Sequence, residues 1–268
     1  MDFDSVAISG GGMRGVAMLG ALTEFEKAGW LKEVTQYAGT SVGAVLAAAL
    51  ATRKDLDTVF DRHVQQFSYK SSVDLTGLDK HFGLDSGEGL KTWIDAVLGE
   101  PVTFAEVRAR HGTNLKVCAT NLNARKAEIF SPETHPDMDV AEALRLSCSV
   151  PVYFAAKKYN GALYVDGALT NNFPVDLVDG KALGIRVQSH PKPPGTAWTL
   201  DGYVGAIVES VTNREIPPCV DAVVLELELG NDVQPLNFKM GVARTRQLFD
   251  TGKTQAKRFI VSYTKKHT

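Results

Sequence analysis

At 268 residues, 44% of them hydrophobic and 22% charged, the chain is long enough to bury a sizeable core, most simply as one α/β domain over residues 1–268. Its 29 Lys and Arg against 31 Asp and Glu leave a formal net charge of −2, which speaks against a general nucleic-acid footprint. Cys118, Cys148 and Cys219 are odd in number and widely spaced, so they read as buried thiols of an intracellular protein rather than as a disulfide framework or a zinc site.

The acidic start Met1-Asp2-Phe3-Asp4 leads straight into an apolar strand over 5–9, unlike a signal peptide. The longest apolar run, around Val42, is too short to span a bilayer, which predicts a cytoplasmic protein with transient, peripheral membrane association. Ser9-Gly10-Gly11-Gly12-Met13-Arg14-Gly15 follows the strand. Val16, Leu19, Leu22 and Phe25 then recur at helical spacing, with Gly29 as the stop. Residues 35–38 read as a second strand, Gly39-Thr40-Ser41-Val42-Gly43 as a turn, and Val42, Leu46 and Leu50 as the stripe of a second helix. A strand–turn–helix unit thus occurs twice, as parallel α/β topology requires.

Residues 55–67 and 87–98 read as helices, with the polar stretch 68–86 a surface connection rather than a lid. Paired strands are expected over 115–120 and 127–130, and a short helix over 139–147, stopped before Pro151. Asn160-Gly161 between 156–159 and 162–165 signals a two-residue hairpin. Strands over 181–188 and 222–229, helices over 200–213 and 242–263, and a proline-containing connection over 189–198 complete the reading.

Two of these turns carry chemistry. A G-x-S-x-G turn allows a serine to sit on a tight backbone at a helix N-terminus, so Ser41 is either a nucleophile or the cap of the helix it precedes. The Gly10–Gly15 loop offers N–H groups to a developing oxyanion. It also matches G-x-G-x-x-G, but a dinucleotide fold expects a ribose-binding acid at the end of the second strand, where Ala38-Gly39-Thr40-Ser41 stand instead. Six histidines are available as a base for Ser41: His63, His81, His111, His135, His190 and His267. His190, just past a strand, is the best placed of them. Asp166, at the end of a strand and before Gly167, is better placed still, although Asp-Gly is also an ordinary turn.

Taken in order, Gly10-Gly11-Gly12-Met13-Arg14-Gly15, Gly39-Thr40-Ser41-Val42-Gly43 and Asp166-Gly167-Ala168 resemble the patatin-like phospholipase family. Ala143-Leu144-Arg145-Leu146-Ser147-Cys148-Ser149-Val150-Pro151 and Asn171-Asn172-Phe173-Pro174 are similar to that family's flanks of the aspartate motif. Ala168 stands where many relatives have glycine. The resemblance covers roughly 6–175. It implies a three-layer α/β/α fold with a mostly parallel central sheet, and a Ser41–Asp166 dyad without a catalytic histidine. It implies an oxyanion hole at Gly10, Gly11 and Gly12 with Arg14 beside them, no metal or other cofactor, and a lipid ester as substrate. Lys253, Lys257, Arg258, Lys265 and Lys266 would either meet an anionic lipid surface or form the solvated face of a last helix. The competing readings are a catalytically silent lipid- or nucleotide-binding protein and a serine esterase with His190 as base.

Overall fold

The computed structural model describes residues 2–65, 77–188, 199–212, 221–230 and 232–267. Residues 68–76 of the expected connection over 68–86, the 189–198 connection with His190, and Cys219 lie outside the described residues. The first half runs β1 (Ser5–Ile8), α1 (Gly15–Lys27), β2 (Gln36–Thr40), α2 (Val42–Ala51), α3 (Leu56–Val59), α4 (Gly77–His81), β3 (Gly83–Asp85), α5 (Glu88–Leu98), α6 (Phe104–His111), β4 (Asn114–Asn121) and β5 (Lys126–Phe130). It continues through α7 (Val140–Ser147), β6 (Val152–Phe154), β7 (Lys157–Tyr159), β8 (Ala162–Asp166), α8 (Ala168–Asn171), β9 (Ala182–Val187), α9 (Leu200–Thr212), β10 (Ala222–Leu227) and α10 (Val242–His267).

The main sheet has the order β10-β9-β1-β2-β4-β8-β7, with β5 also paired to β4. The strands from β10 to β4 are parallel, whereas β5, β8 and β7 join antiparallel, so the sheet changes sense at β4. This is the mostly parallel sheet flanked by helices that the repeated strand–turn–helix pattern predicts. β1 is buried at every residue, as a central parallel strand should be. α1 and α10 pack backbone to backbone where Gly20 meets the Phe249 carbonyl and Gly252 meets the Ala17 carbonyl, approaches that leave no room for a Cβ. Phe60 and Phe249 stack at 3.8 Å between ring centroids beneath this contact.

The hairpin closes on Asn160 and Gly161, both at positive φ, the geometry of a type I′ turn. The helix expected over 55–67 splits: after α3 the backbone widens to π-helical spacing over Phe60–Val64, with the Gln65 amide donating to the Phe60 carbonyl at 2.8 Å. α6 has no counterpart in the sequence reading. Only Phe104 and Val107 of its eight residues are buried, so its apolar stripe is faint, yet Thr103 and Glu106 form a full capping box. The small β3–β6 sheet was equally invisible, because three-residue strands carry no period.

No helix among the described residues is long and apolar enough to cross a membrane. Of the basic residues singled out on α10, Lys253 and Lys257 reach the nearly buried Glu24 of α1, at 3.5 and 3.7 Å. The Lys253 side chain is largely covered there, whereas that of Lys257 stays exposed.

Candidate active site

Ser41 lies between β2 and α2 at φ 55° and ψ −130°, a conformation that a side-chain-bearing residue adopts only under constraint. The flanking glycines allow it. A Cβ on Gly39 would come within 2.4 Å of the Gly43 carbonyl oxygen, and one on Gly43 within 2.3 Å of the Ser9 carbonyl oxygen. The Ser41 side chain makes no cap bond to α2. Its Oγ donates instead to Asp166 Oδ2 at 2.7 Å.

Strand register brings the two together. Thr40 pairs with Cys118 on one side of β4, and Asp166 pairs with the next residue, Ala119, on the other. Asp166 is 1% exposed. Its Oδ1 accepts the Ala168 amide at 2.9 Å, so the Asp-Gly turn and the bond to Ser41 use different oxygens and coexist. Burial pushes this carboxyl up from 3.8 to about 6, against the opposing pull of the hydrogen bonds from Ala168 and Ser41. No histidine among the described residues hydrogen-bonds either side chain, and His190 lies outside them.

The glycine loop abuts this pair: a Cβ on Gly10 would stand 3.3 Å from Ser41 Cβ and 2.5 Å from Asn172 Oδ1. The four residues expected to line an oxyanion hole separate here. The Gly10 amide already donates to the Asn172 carbonyl at 3.0 Å, which removes it from the donor set. Arg14 Nε donates to the Val233 carbonyl at 3.1 Å, so its guanidinium fastens the loop to a distant segment. The Met13 amide does the same at the Pro235 carbonyl, 2.8 Å away. Gly12, at φ +55°, passes so close to Pro235 that a Cβ would lie 2.0 Å from its carbonyl oxygen. Among the described residues, the Gly11 and Gly12 amides donate to no protein acceptor, and both residues are partly exposed. Gly10 and Met13 of the same loop, by contrast, have their amides bonded.

A cavity opens beside Ser41 and Gly12. Its walls are almost wholly apolar, with Leu46, Trp93, Phe154 and Phe238 among them. Walls of this kind suit an apolar group. The buried thiols do not compete as nucleophiles: desolvation pushes Cys118 up to about 12 and raises Cys148 as well. Among the described residues no cluster of three or more His, Cys, Asp or Glu is arranged to hold a metal ion.

Sequence reasoning assigned no role to Asn172, Ser147, Val233, Pro235 or Phe238. The first two stood in the quoted flanks. The last three come from more than 190 residues beyond Ser41, and nothing in their local pattern announces a wall or a latch.

A family model described as patatin-like phospholipase matches residues 6–179. "Probable lipid hydrolase 463L" of Invertebrate iridescent virus 6 is 30% identical over 188 residues, which are 65% of this chain and 63% of that protein, just under two thirds of its length. "Patatin-like phospholipase domain-containing protein 4" of Homo sapiens is 27% identical over 75% of this chain and 78% of its own. In fold, the chain is similar to VipD from Legionella pneumophila, with a TM-score of 0.66 at 15% identity, over 97% of this chain and 67% of that one.

Proposed function

Because the chain belongs to the patatin-like phospholipase family, we propose that it is a lipid hydrolase that cleaves carboxylic esters with a Ser41–Asp166 dyad. The observation that carries this reading is the 2.7 Å hydrogen bond from Ser41 Oγ to a buried carboxylate, at the mouth of an apolar cavity. Ser41 Oγ attacks the ester carbonyl while Asp166 takes its proton, and the carbonyl oxygen becomes an oxyanion facing the Gly11 and Gly12 amides. Asp166 returns the proton to the departing alkoxide, which leaves an acyl-Ser41. Water, deprotonated by Asp166, then attacks the acyl-enzyme, and the proton passes back to Ser41 as the fatty acid leaves.

An ester suits this base better than an amide, because an alkoxide leaving group demands less proton transfer than an amine. The cavity wall accounts for a lipid acyl group, since it offers hydrocarbon contacts and little that would solvate a polar chain. We infer lipid as the partner and no cofactor for these steps; contact with a membrane surface is transient on this reading.

The experiment is covalent labelling with a fluorophosphonate, located by peptide mass spectrometry, combined with Ser41→Ala. Label on Ser41 and loss of ester turnover in the variant are expected. Label elsewhere, or undiminished turnover by Ser41→Ala, rejects the dyad. Retained activity in Asp166→Asn would return the base to a histidine such as His190.

A further inference from the structure

We propose that Ser147 is a positioning residue of this site, its hydroxyl clamping the Ser41 backbone while the adjoining main chain clamps that of Asp166. The inference rests on the reading of Ser41 as nucleophile. Ser147 ends α7 and is fully buried. Its Oγ accepts the Ser41 amide at 2.8 Å and donates to the Cys118 carbonyl at 2.6 Å. Cys118 is the β4 partner of Thr40, so the hydroxyl ties the turn to the strand against which it is registered. The same short strip holds the other half of the dyad. The Asp166 amide donates to the Ser149 carbonyl at 2.8 Å, and the Gly167 amide to the Ser147 carbonyl at 3.3 Å.

The strip is itself held: Arg145, 2% exposed, donates to Ser149 Oγ at 2.7 Å and to the Ser86 carbonyl at 3.0 Å.

Ser41 needs such a clamp because its positive φ is sparsely populated and the turn relaxes unless surrounding contacts over-determine it. Ser147 gives the Ser41 amide its acceptor, which also removes that amide from the oxyanion donors. Relaxation would swing Oγ from Asp166, and a misplacement of about 1 Å costs on the order of a hundred-fold in rate.

The test compares Ser147→Ala with the isosteric pair Ser147→Val and Ser147→Thr, with Ser41→Ala as the control, on a short soluble ester. In the Ala and Val variants kcat should fall about ten- to a hundred-fold with KM nearly unchanged. Fluorophosphonate labelling of Ser41 should slow in parallel. The acid limb of the rate profile should move to higher pH, because Asp166 loses the Ser41 hydrogen bond that lowers its pKa. Thr, which keeps the hydroxyl, should be faster than Val at equal bulk.

The clamp is rejected if Ala and Val turn over like the parent while Ser41→Ala is inactive, if Thr and Val are equally slow, or if lost rate only mirrors lost folded protein in circular dichroism. Turnover by Ser41→Ala would instead overturn the dyad itself, and the clamp with it.

Discussion

Replacing Asp166 by Asn should abolish turnover and stabilise the protein at the same time, and the second effect depends on pH. Asp166 is buried, and its carboxyl lies at about 6 instead of 3.8 because desolvation outweighs its two hydrogen bonds. The folded chain therefore holds this proton more tightly than the unfolded chain does. Its contribution is fully present below pH 4, fades as pH rises through 6, and is absent above that. A difference of about two pH units at 1.36 kcal/mol each corresponds to about 3 kcal/mol of stability forgone at pH 8 by keeping the carboxylate ionised. Asn has nearly the same shape, keeps an oxygen for the Ala168 amide and carries no charge to desolvate. Urea denaturation at pH 8 should thus find Asp166→Asn more stable by up to about 3 kcal/mol, and the advantage should vanish at pH 4. Turnover of a soluble ester should fall by about a thousand-fold or more at either pH. An Asn variant less stable than the parent at pH 8, or with the same difference at both pH values, would refute the claim that desolvation sets this carboxyl.

For the parent enzyme the same shift places the acid limb of kcat/KM near pH 6, measured on a soluble ester; a limb near 4 would mean an ordinary, solvated carboxylate. Gly12→Ala puts a Cβ 2.0 Å from the Pro235 carbonyl oxygen at φ +55°, so the loop must shift and kcat should fall about a hundred-fold. Steady-state kinetics beside a thermal melt separates that loss from unfolding. Leu46→Trp fills cavity space one helical turn from Ser41, so kcat/KM should fall about ten-fold or more for a long-chain ester while a butyrate ester is spared. A chain-length series reads this, and parallel losses on both esters would remove the acyl chain from the cavity.

Local signals carried much of the site. Gly39 and Gly43 announced the serine turn because only glycine tolerates the approach of the Gly43 and Ser9 carbonyls, and a sequence displays that requirement directly. Asp166 was legible as a strand-end carboxylate. The turn and the contact with Ser41 do not exclude each other, because the side chain has two oxygens and uses each for one bond. What stayed hidden was settled by tertiary pairing. The Gly10 amide is spent on Asn172, and Arg14 is drawn to Val233, by contacts that no local pattern encodes. The cavity is closed partly by Leu236 and Phe238, which lie beyond the residues matched by the family model. α6 escaped for the opposite reason: its cap was written at Thr103 and Glu106, but its apolar stripe was too sparse to prompt a search for one.

On the proposed mechanism, the change of sense at β4 lets an aspartate serve where a histidine is the commoner partner. β8 runs antiparallel to β4. Its last residue returns to the level of Ala119, one step beyond the Cys118–Thr40 pair, and its side chain meets Ser41 in a position 1% exposed. Burial alone raises the carboxyl to about 6, closer to the working pH of a general base, without a second titratable group. The same burial sets its limit. A base near 6 cannot carry a serine alkoxide by itself, so on the proposed mechanism the remaining stabilisation must come from the donors facing the oxyanion. On that mechanism these are the Gly11 and Gly12 amides, in the loop that Met13 and Arg14 fasten to Pro235 and Val233. Disturbing that latch should therefore depress turnover as surely as disturbing the dyad.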